Sequence, residues 1–338
     1  MSKYPTINYI GSKHKIVDWI VESMPLKEGT ILDLFAGGCS VSYALKEKGY
    51  TVFVNDILYS NYVLAKAIIE NNKVKLDSSF NSILPDSSDV EIKYSEIKDE
   101  LENVVYHDYE VRELAKLVLI SEQLSDYKKY LFLSLLRRAM IRKIPYSRMN
   151  VKWEEIVKFR DEEYSYRMYG RYRSYHNKPF IDHINKYLDE YNDSVFDNKK
   201  KNKAFNMDAF DLLSDSGIKK VDIIYLDPPY PNTMNNYESF YGKYDHMFGV
   251  HNQAKSDFSN KTTFSDFFKE LLHLCSKKTK YIVISLNNKC KPSSEDIKLM
   301  MEPLCSEIKT VTKDYVYRVT GKENKNTNYE ILLIGKVK

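Results

Sequence analysis

Two strand–helix repeats follow each other between residues 30 and 72. TILDLF (30–35) and TVFVND (51–56) are short apolar runs typical of buried strands, and 41–49 and 58–72 have the periodicity of amphipathic helices. Consecutive strand–helix–strand units form parallel strands joined by right-handed crossovers. The spacing therefore predicts an α/β domain built on an open parallel sheet.

The pattern changes after this segment and returns in the last third of the chain. Residues 73–203 have helical stretches, raised charge and many tyrosines, but no clear parallel strand. Strand-like runs reappear at 221–227, 280–288, 310–320 and 328–336. At 338 residues the chain exceeds what one hydrophobic core usually holds. We expect a sheet domain formed by 1–72 and 204–338, interrupted by a helical lobe at 73–203.

Composition narrows the class of protein without indicating a function. The four cysteines lack the spacing of metal ligands or of a disulfide framework, which predicts reduced thiols. Neither a signal sequence nor a long apolar run is present, so we expect a soluble protein of the cytoplasm. The net charge of +4 indicates nucleic-acid binding only if the basic residues are clustered.

A glycine turn and two further acids stand where predicted strands end. In DLFAGGCS (33–40), the glycines at 37 and 38 allow a ligand to approach the backbone, and Asp33 suits a positively charged group. Asp56 follows the second strand, where an acid can accept hydrogen bonds from ribose hydroxyls. Asp208, in NMDAF, can accept from an amino group. A structural glycine turn and helix N-caps at Asp56 and Asp208 remain open as alternatives.

The apolar run VDIIYL leads into Asp227, two prolines and a tyrosine. The prolines fix φ and lack N–H groups, so the side chain of Asp227 and the carbonyl of Pro228 stay available as acceptors. Both oxygens can accept from one amino group, and the ring of Tyr230 can stack on a planar base. A rigid turn after a strand is the alternative explanation.

The motifs NYIGSK, DLFAGGCS, VFVNDI, NMDAF and YLDPPY occur in this order, with a long insertion before the fourth. Together they resemble the S-adenosylmethionine-dependent DNA adenine-N6 methyltransferases of the Dam-like (alpha, D12) class. The resemblance implies a Rossmann-like methyltransferase sheet with 73–203 as the target-recognition, DNA-binding domain. It further implies a site-specific enzyme acting on double-stranded DNA as the modification enzyme of a restriction–modification system. Any cognate restriction endonuclease is expected to be a separate protein.

The resemblance also implies roles for individual residues. The expected S-adenosylmethionine contacts are Tyr9, Ile10, Gly11, Lys13, Asp33, Phe35, Ala36, Gly37, Gly38, Asp56, Ile57, Asp208, Ala209 and Asp227. The expected catalytic residues are Asp227, Pro228 and Tyr230, which would handle the target base. No metal is expected. Cys39 occupies a position where many relatives have a small residue, and we assign it no nucleophilic role.

Positive charge is clustered between residues 137 and 178. This segment contains twelve Lys or Arg residues and five Asp or Glu residues, so its excess of positive charge is larger than the net charge of the whole chain. The interleaved tyrosines favour a nucleic-acid surface over a solvated helix face. On such a surface most of the basic side chains would bind phosphates, and some arginines would contact guanine edges. The residues predicted to contact DNA are Arg137, Arg138, Arg142, Lys143, Arg148, Arg171 and Arg173.

The residues at 227–230 suggest a direct methyl transfer. Hydrogen bonds from the adenine amino group to Asp227 and to the Pro228 carbonyl would orient the nitrogen lone pair, so no covalent enzyme intermediate is needed. Duplex DNA requires the base to be flipped out, and the segment 231–249 is long enough to act as a lid. RNA amino-methylation, DNA cytosine-N4 methylation and a catalytically inactive DNA-binding regulator are alternatives. The motif's Asp227 disfavours cytosine-N4 chemistry.

Overall fold

The structure, a computed structural model, divides into two compact units that the chain crosses between repeatedly. It describes residues 3–170, 176–215, 217–231, 233, 236–251, 258, 260–314, 318–319, 322–323 and 328–338. The helical unit comprises Met1–Tyr9, Leu58–Asp197 and Tyr237–Asn252. The sheet unit comprises Ile10–Ile57, Asn198–Asn236 and Gln253–Lys338.

The sheet unit is built on a seven-stranded sheet. Its strands are β1 (Thr30–Asp33), β2 (Thr51–Asn55), β3 (Lys203–Phe205), β4 (Val221–Leu226), β5 (Thr279–Asn287), β6 (Cys305–Asp314) and β9 (Tyr329–Val337), and a short hairpin forms β7 (Arg318–Val319) and β8 (Lys322–Glu323). The order is β3-β2-β1-β4-β5-β9-β6, in which β1 to β5 are parallel and β9 is antiparallel to both neighbours. The parallel core and the terminal antiparallel pair are as the sequence predicts.

The carboxyl ends of β1, β2, β3 and β4 meet at one edge of this sheet because the four strands are parallel. The helices of the unit are α1 (Val17–Glu22), α2 (Ser40–Glu47), α10 (Ala209–Ser214), α12 (Phe264–Lys278) and α13 (Ser294–Met301). Strand β4 is almost entirely buried and apolar, as expected for a central parallel strand. It joins residues of α12 and β5 in one hydrophobic core.

The helical unit contains α3 (Tyr59–Ala65, continued as a π-helical turn Lys66–Glu70), α4 (Ser87–Leu101), α5 (Asp108–Glu122), α6 (Asp126–Arg142), α7 (Trp153–Arg160), α8 (Glu162–Tyr169), α9 (Phe180–Asp193) and α11 (Tyr237–His246). Helix α6 is buried over most of its second half and packs against α3 and α9. Helices α4 and α5 are separated by a turn at 102–107.

The division into units differs in detail from the predicted boundaries. Helix α3, predicted to belong with the sheet, lies in the helical unit, and so does α11, which occupies much of the segment 231–249. The assignment of 1–72 and 204–338 to catalysis and of 73–203 to target recognition therefore stays a prediction. Within the described ranges, no helix combines the length and apolar character that crossing a membrane requires.

Candidate active site

Asp33 is the last residue of β1, and it is 1% exposed. The hydroxyl of Ser42, on α2, lies 2.5 Å from its Oδ2, whereas Oδ1 is buried without a hydrogen-bond partner of ordinary geometry among the described residues. Burial raises the pKa of Asp33 to about 7; the Ser42 hydroxyl lowers that pKa, and the carboxylates of Asp227 and Asp56 raise it. A positively charged ligand would stabilise the ionised form of this acid.

The glycine turn after β1 contacts the loop after β2. Gly37 has φ of 51°, a conformation that glycine adopts without strain, and its N–H donates to Oδ2 of Asp56 over 2.8 Å. The N-cap of α3 is Leu58, without a side-chain cap hydrogen bond, so Asp56 is not the helix cap considered as an alternative. The turn therefore places a carboxylate at the carboxyl edge of the sheet.

Two asparagines that sequence reasoning left without a role tie these loops together. Asn55, at the end of β2, is 1% exposed, and its Nδ2 donates to the carbonyls of Leu34 (3.2 Å) and Met207 (3.1 Å). The Nδ2 of Asn206 donates to the carbonyls of Asp56 (2.9 Å) and Ile57 (2.8 Å). These bonds fix the loops after β1, β2 and β3 relative to one another.

Asp208 is the N-cap of α10. Its Oδ1 accepts from the N–H of Phe210 over 2.9 Å, so the helix-cap alternative describes its local role. Ala209 begins the helix and is 5% exposed. Contacts of these two residues with a ligand stay a prediction.

Asp227 follows β4 directly and forms a group of three charged residues with Lys13 and Glu330. The Nζ of Lys13 lies 3.3 Å from Asp227 Oδ1 and 3.5 Å from Glu330 Oε2. The Asp227 side chain keeps 22% of its surface exposed, whereas Glu330 keeps 1%. Burial raises the pKa of Asp227 to about 6; Lys13 lowers that pKa and Glu330 raises it. The acid is therefore mostly ionised near neutral pH and still reachable.

Tyr230 is held in the core rather than presented on a surface. It is 3% exposed, its hydroxyl donates to the carbonyl of Ser285 on β5 over 3.0 Å, and its ring packs against Phe264 and Phe268. These contacts anchor the turn after β4 to the neighbouring strand. Stacking of this ring on a base stays a prediction.

Negative charge dominates this edge of the sheet. The carboxylates of Asp227 and Asp56 both act on Asp33, and Asp227 in turn shares the ammonium of Lys13 with Glu330. Like charges in a low-dielectric site repel, so this arrangement favours a ligand that brings positive charge. A sulfonium or an ammonium group fits that requirement.

A family model described as D12 class N6 adenine-specific DNA methyltransferase matches residues 9–300. The chain belongs to this family. It is 41% identical over 339 residues to the Type II methyltransferase M2.HphI of Haemophilus parahaemolyticus, with 98% of each chain covered. It is 26% identical to the modification methylase StsI of Streptococcus sanguinis, over 96% of this chain and 50% of that protein. A third relative, the Type II methyltransferase M.FokI of Planomicrobium okeanokoites, is 28% identical over 66% of this chain and 34% of its own length.

The N-terminal motif of this methyltransferase is divided between the units. Tyr9 belongs to the helical unit, where its ring stacks on Tyr237 and Tyr241 at centroid distances of 5.5 and 5.1 Å. Ile10, Gly11 and Lys13 belong to the sheet unit. Lys13, predicted to contact the cofactor, lies in the structure beside the predicted catalytic acid. Cys39 is the N-cap residue of α2 and is fully buried, so its thiol is not accessible to act as a nucleophile.

Three of the residues predicted to contact DNA are buried in the structure. Arg137, Arg138 and Lys143 are 2%, 5% and 1% exposed. Arg137 donates to Asn61 Oδ1 over 3.1 Å, Arg138 stacks on the Tyr187 ring, and Lys143 pairs with Glu110 over 2.7 Å. Because a phosphate must reach a cation to bind it, these side chains act in the interior of the helical unit. Arg137 and Arg138 lie in the buried second half of α6, and Lys143 is its C-cap residue.

The remaining predicted contacts are distributed differently. Arg142 and Arg148 are partly exposed, and the Arg148 guanidinium lies 5.7 Å from the Tyr146 ring. Arg171 and Arg173 lie outside the described residues. Exposed cations that were not singled out are Lys152, Lys158 and Arg167, on or beside α7 and α8.

Glu330 was missed altogether by sequence reasoning. Its signal was present: an acid directly before the apolar strand residues ILLI (331–334). Because β9 is antiparallel, its amino end lies at the edge where the parallel strands have their carboxyl ends, and Glu330 pairs in register with Asn287 at the end of β5. Without the direction of β9, the sequence does not show that this acid joins the site.

Proposed function

We propose that this chain transfers a methyl group from S-adenosylmethionine to the N6 of an adenine at a specific sequence in double-stranded DNA, as the modification enzyme of a restriction–modification system. The observation that carries the proposal is Asp227: an ionisable acid at the carboxyl end of a central parallel strand, partly exposed and followed by two prolines. Membership of the N6 adenine-specific family supports the choice of base. The high identity to a Type II methyltransferase over almost its whole length supports a paired restriction enzyme as a separate protein.

The residues at the end of β4 supply acceptors for the adenine amino group. The N6 lone pair is delocalised into the ring, so the amino group is a poor nucleophile until its hydrogens are held. Hydrogen bonds to Asp227 and to the Pro228 carbonyl orient the nitrogen and stabilise the charge that develops on it. When bound, S-adenosylmethionine supplies an electrophilic methyl group on a sulfonium centre.

The carboxylates at the strand ends are suited to the cofactor's charge. Asp33 offers a buried oxygen, Oδ1, that lacks a hydrogen-bond partner of ordinary geometry within the described structure, which suits a cation. Asp56 is held by Gly37 at the position where acids of open α/β sheets bind ribose hydroxyls. Four further expected cofactor contacts, Phe35, Ala36, Gly38 and Ile57, lie in the loops after β1 and β2.

The helical unit is proposed to bind DNA through its exposed cations and aromatic side chains. Lys152, Lys158 and Arg167 are exposed, and so are Tyr166 (52%) and Tyr169 (43%) in the same region. Cations of this kind bind phosphates and aromatic rings pack on sugars or bases. The target adenine leaves the stack before reaction, at a cost of roughly a few kcal/mol.

The test is to sequence DNA from a host that expresses the chain, using a method that detects modified bases directly. We expect N6-methyladenine at one defined sequence, and none when the host expresses Asp227→Ala. Purified Asp227→Ala should still bind S-adenosylmethionine, since the other expected cofactor contacts are unchanged in this variant. Label from tritiated cofactor found in RNA, or in cytosine, would replace the proposal by one of the alternatives.

A further inference from the structure

Lys13 lies between two carboxylates from different parts of the sheet unit. Its ammonium is 3.3 Å from Asp227, after β4, and 3.5 Å from Glu330, on β9. The Lys13 side chain is 14% exposed and Glu330 is 1% exposed, so water screens this interaction weakly. The ion pair of Lys13 and Glu330 is therefore a buried part of the site and not a surface ion pair.

Burying the carboxylate of Glu330 costs hydration energy, which indicates that this acid has a role in the site. It stands at the start of a strand whose next four residues, 331–334, are at most 7% exposed and apolar. A buried carboxylate loses hydration energy that only a nearby cation or several donors replace. A glutamate here therefore stabilises a cation at a fixed place, and Lys13 is that cation.

We propose that Glu330 is a positioning residue for methyl transfer. It holds the Lys13 ammonium between two acids, so that Asp227 can accept a hydrogen bond from the adenine amino group. This inference rests on the proposed function. With Glu330 ionised, Lys13 shares its charge between two carboxylates. Without that charge, Lys13 would pair more strongly with Asp227 and compete with the adenine amino group for its oxygens.

The arrangement also sets the direction in which each partner moves the titration of Asp227. Glu330 raises the pKa of Asp227 and Lys13 lowers it. The other titratable groups near Asp227 are Asp33 at the end of β1, Tyr225 on β4, Tyr230 in the following turn and Cys290 after β5. Since these four are unchanged in both variants below, they do not reverse the expected directions.

The experiment compares Glu330→Gln with Lys13→Met in the full-length enzyme. The acid limb of kcat/KM for DNA is measured from pH 5 to pH 8 with S-adenosylmethionine saturating at every pH, so that the titration of Asp33 does not enter the limb. Neutralising Glu330 should move the limb to lower pH, and neutralising Lys13 should move it to higher pH, each by at least about half a pH unit. Lys13→Arg should keep the wild-type limb because it keeps the cation.

At pH 7.5 we further expect Glu330→Gln to lower kcat by about 10- to 100-fold, the cost of misplacing a reacting group by about 1 Å. Its KM for S-adenosylmethionine should change little, because Glu330 acts on Asp227. Matched controls are Glu307→Gln, exposed on β6 of the same sheet, and Lys48→Met, exposed after α2. Both should leave the limb and kcat unchanged.

A limb that stays in place in Glu330→Gln, or that moves in the same direction in both variants, would overturn the inference while wild-type activity upholds the proposed function. Loss of cofactor binding in Lys13→Met without any shift of the limb would do the same. If the wild-type enzyme methylates no DNA, the proposed function fails. Carbon-13 NMR titration of the Asp227 carboxyl, assigned with Asp227→Asn, then tests the ion-pair arrangement by itself: two opposite shifts would uphold the arrangement, while its role in methyl transfer fails with the proposed function.

Discussion

The hydroxyl of Ser42 holds one oxygen of Asp33 at 2.5 Å, and the other oxygen is buried without a hydrogen-bond partner of ordinary geometry in the described part of the chain. Burial raises the pKa of this acid to about 7. Asp33 is thus close to half-protonated under ordinary conditions. A cation that binds beside it must displace the proton, so cofactor binding and proton release are linked.

We expect the affinity for S-adenosylmethionine to increase with pH up to about 7. Below the pKa of Asp33, each pH unit should weaken binding by up to about tenfold, because the cofactor binds only the ionised form of the acid. Calorimetry in buffers of different ionisation enthalpy should show a proton released on binding at pH 6.5. Asp33→Asn should bind weakly with no proton release, whereas an unchanged pH slope in that variant would contradict the role of Asp33.

The same acid predicts a conflict between stability and function. The pKa of Asp33 is about 7 in the folded chain and near 3.8 when unfolded, so the folded state binds more protons between those values. Stability of the ligand-free protein therefore falls as pH rises through this window. Relative to wild type, Asp33→Asn should gain thermal stability between pH 5 and pH 8. A stability difference that is independent of pH would contradict the shifted pKa.

The strand-end motifs are readable from sequence because their chemistry depends on local order. A strand followed by AGGCS or by DPPY places its acid at the end of that strand whatever the surroundings, which is why Asp33 and Asp227 are predictable. Glu330 is not, because its place depends on the antiparallel direction of β9. Charge clustering also misleads where burial decides the role: Arg137 and Arg138 belong to a basic run in the sequence, yet α6 is central to its unit.

The buried cluster of Glu110, Arg160 and Lys143 should be essential for the helical unit. Arg160 donates to both oxygens of Glu110, each over 2.7 Å, and Lys143 lies 2.7 Å from Oε1. Removing one partner of a buried ion pair costs about 3–5 kcal/mol, since the remaining charges stay buried without compensation. Glu110→Gln should therefore lower the free energy of unfolding by that amount in urea titration. Glu91→Gln, whose ion pair with Arg112 is exposed, should produce no measurable change.

DNA binding should depend steeply on salt, and the burial of the arginines determines which substitutions change that dependence. Lys152 and Lys158 are exposed, so the variant Lys152→Ala/Lys158→Ala should reduce the slope of log K against log salt by about 2, roughly one for each phosphate that the variant no longer binds. Arg138 is buried, so the folded fraction of the Arg138→Met variant should bind DNA with an unchanged slope. Fluorescence anisotropy with one duplex at several salt concentrations measures all three proteins. An unchanged slope in the double variant, or a slope reduced by Arg138→Met, would move the DNA surface away from α7 and α8.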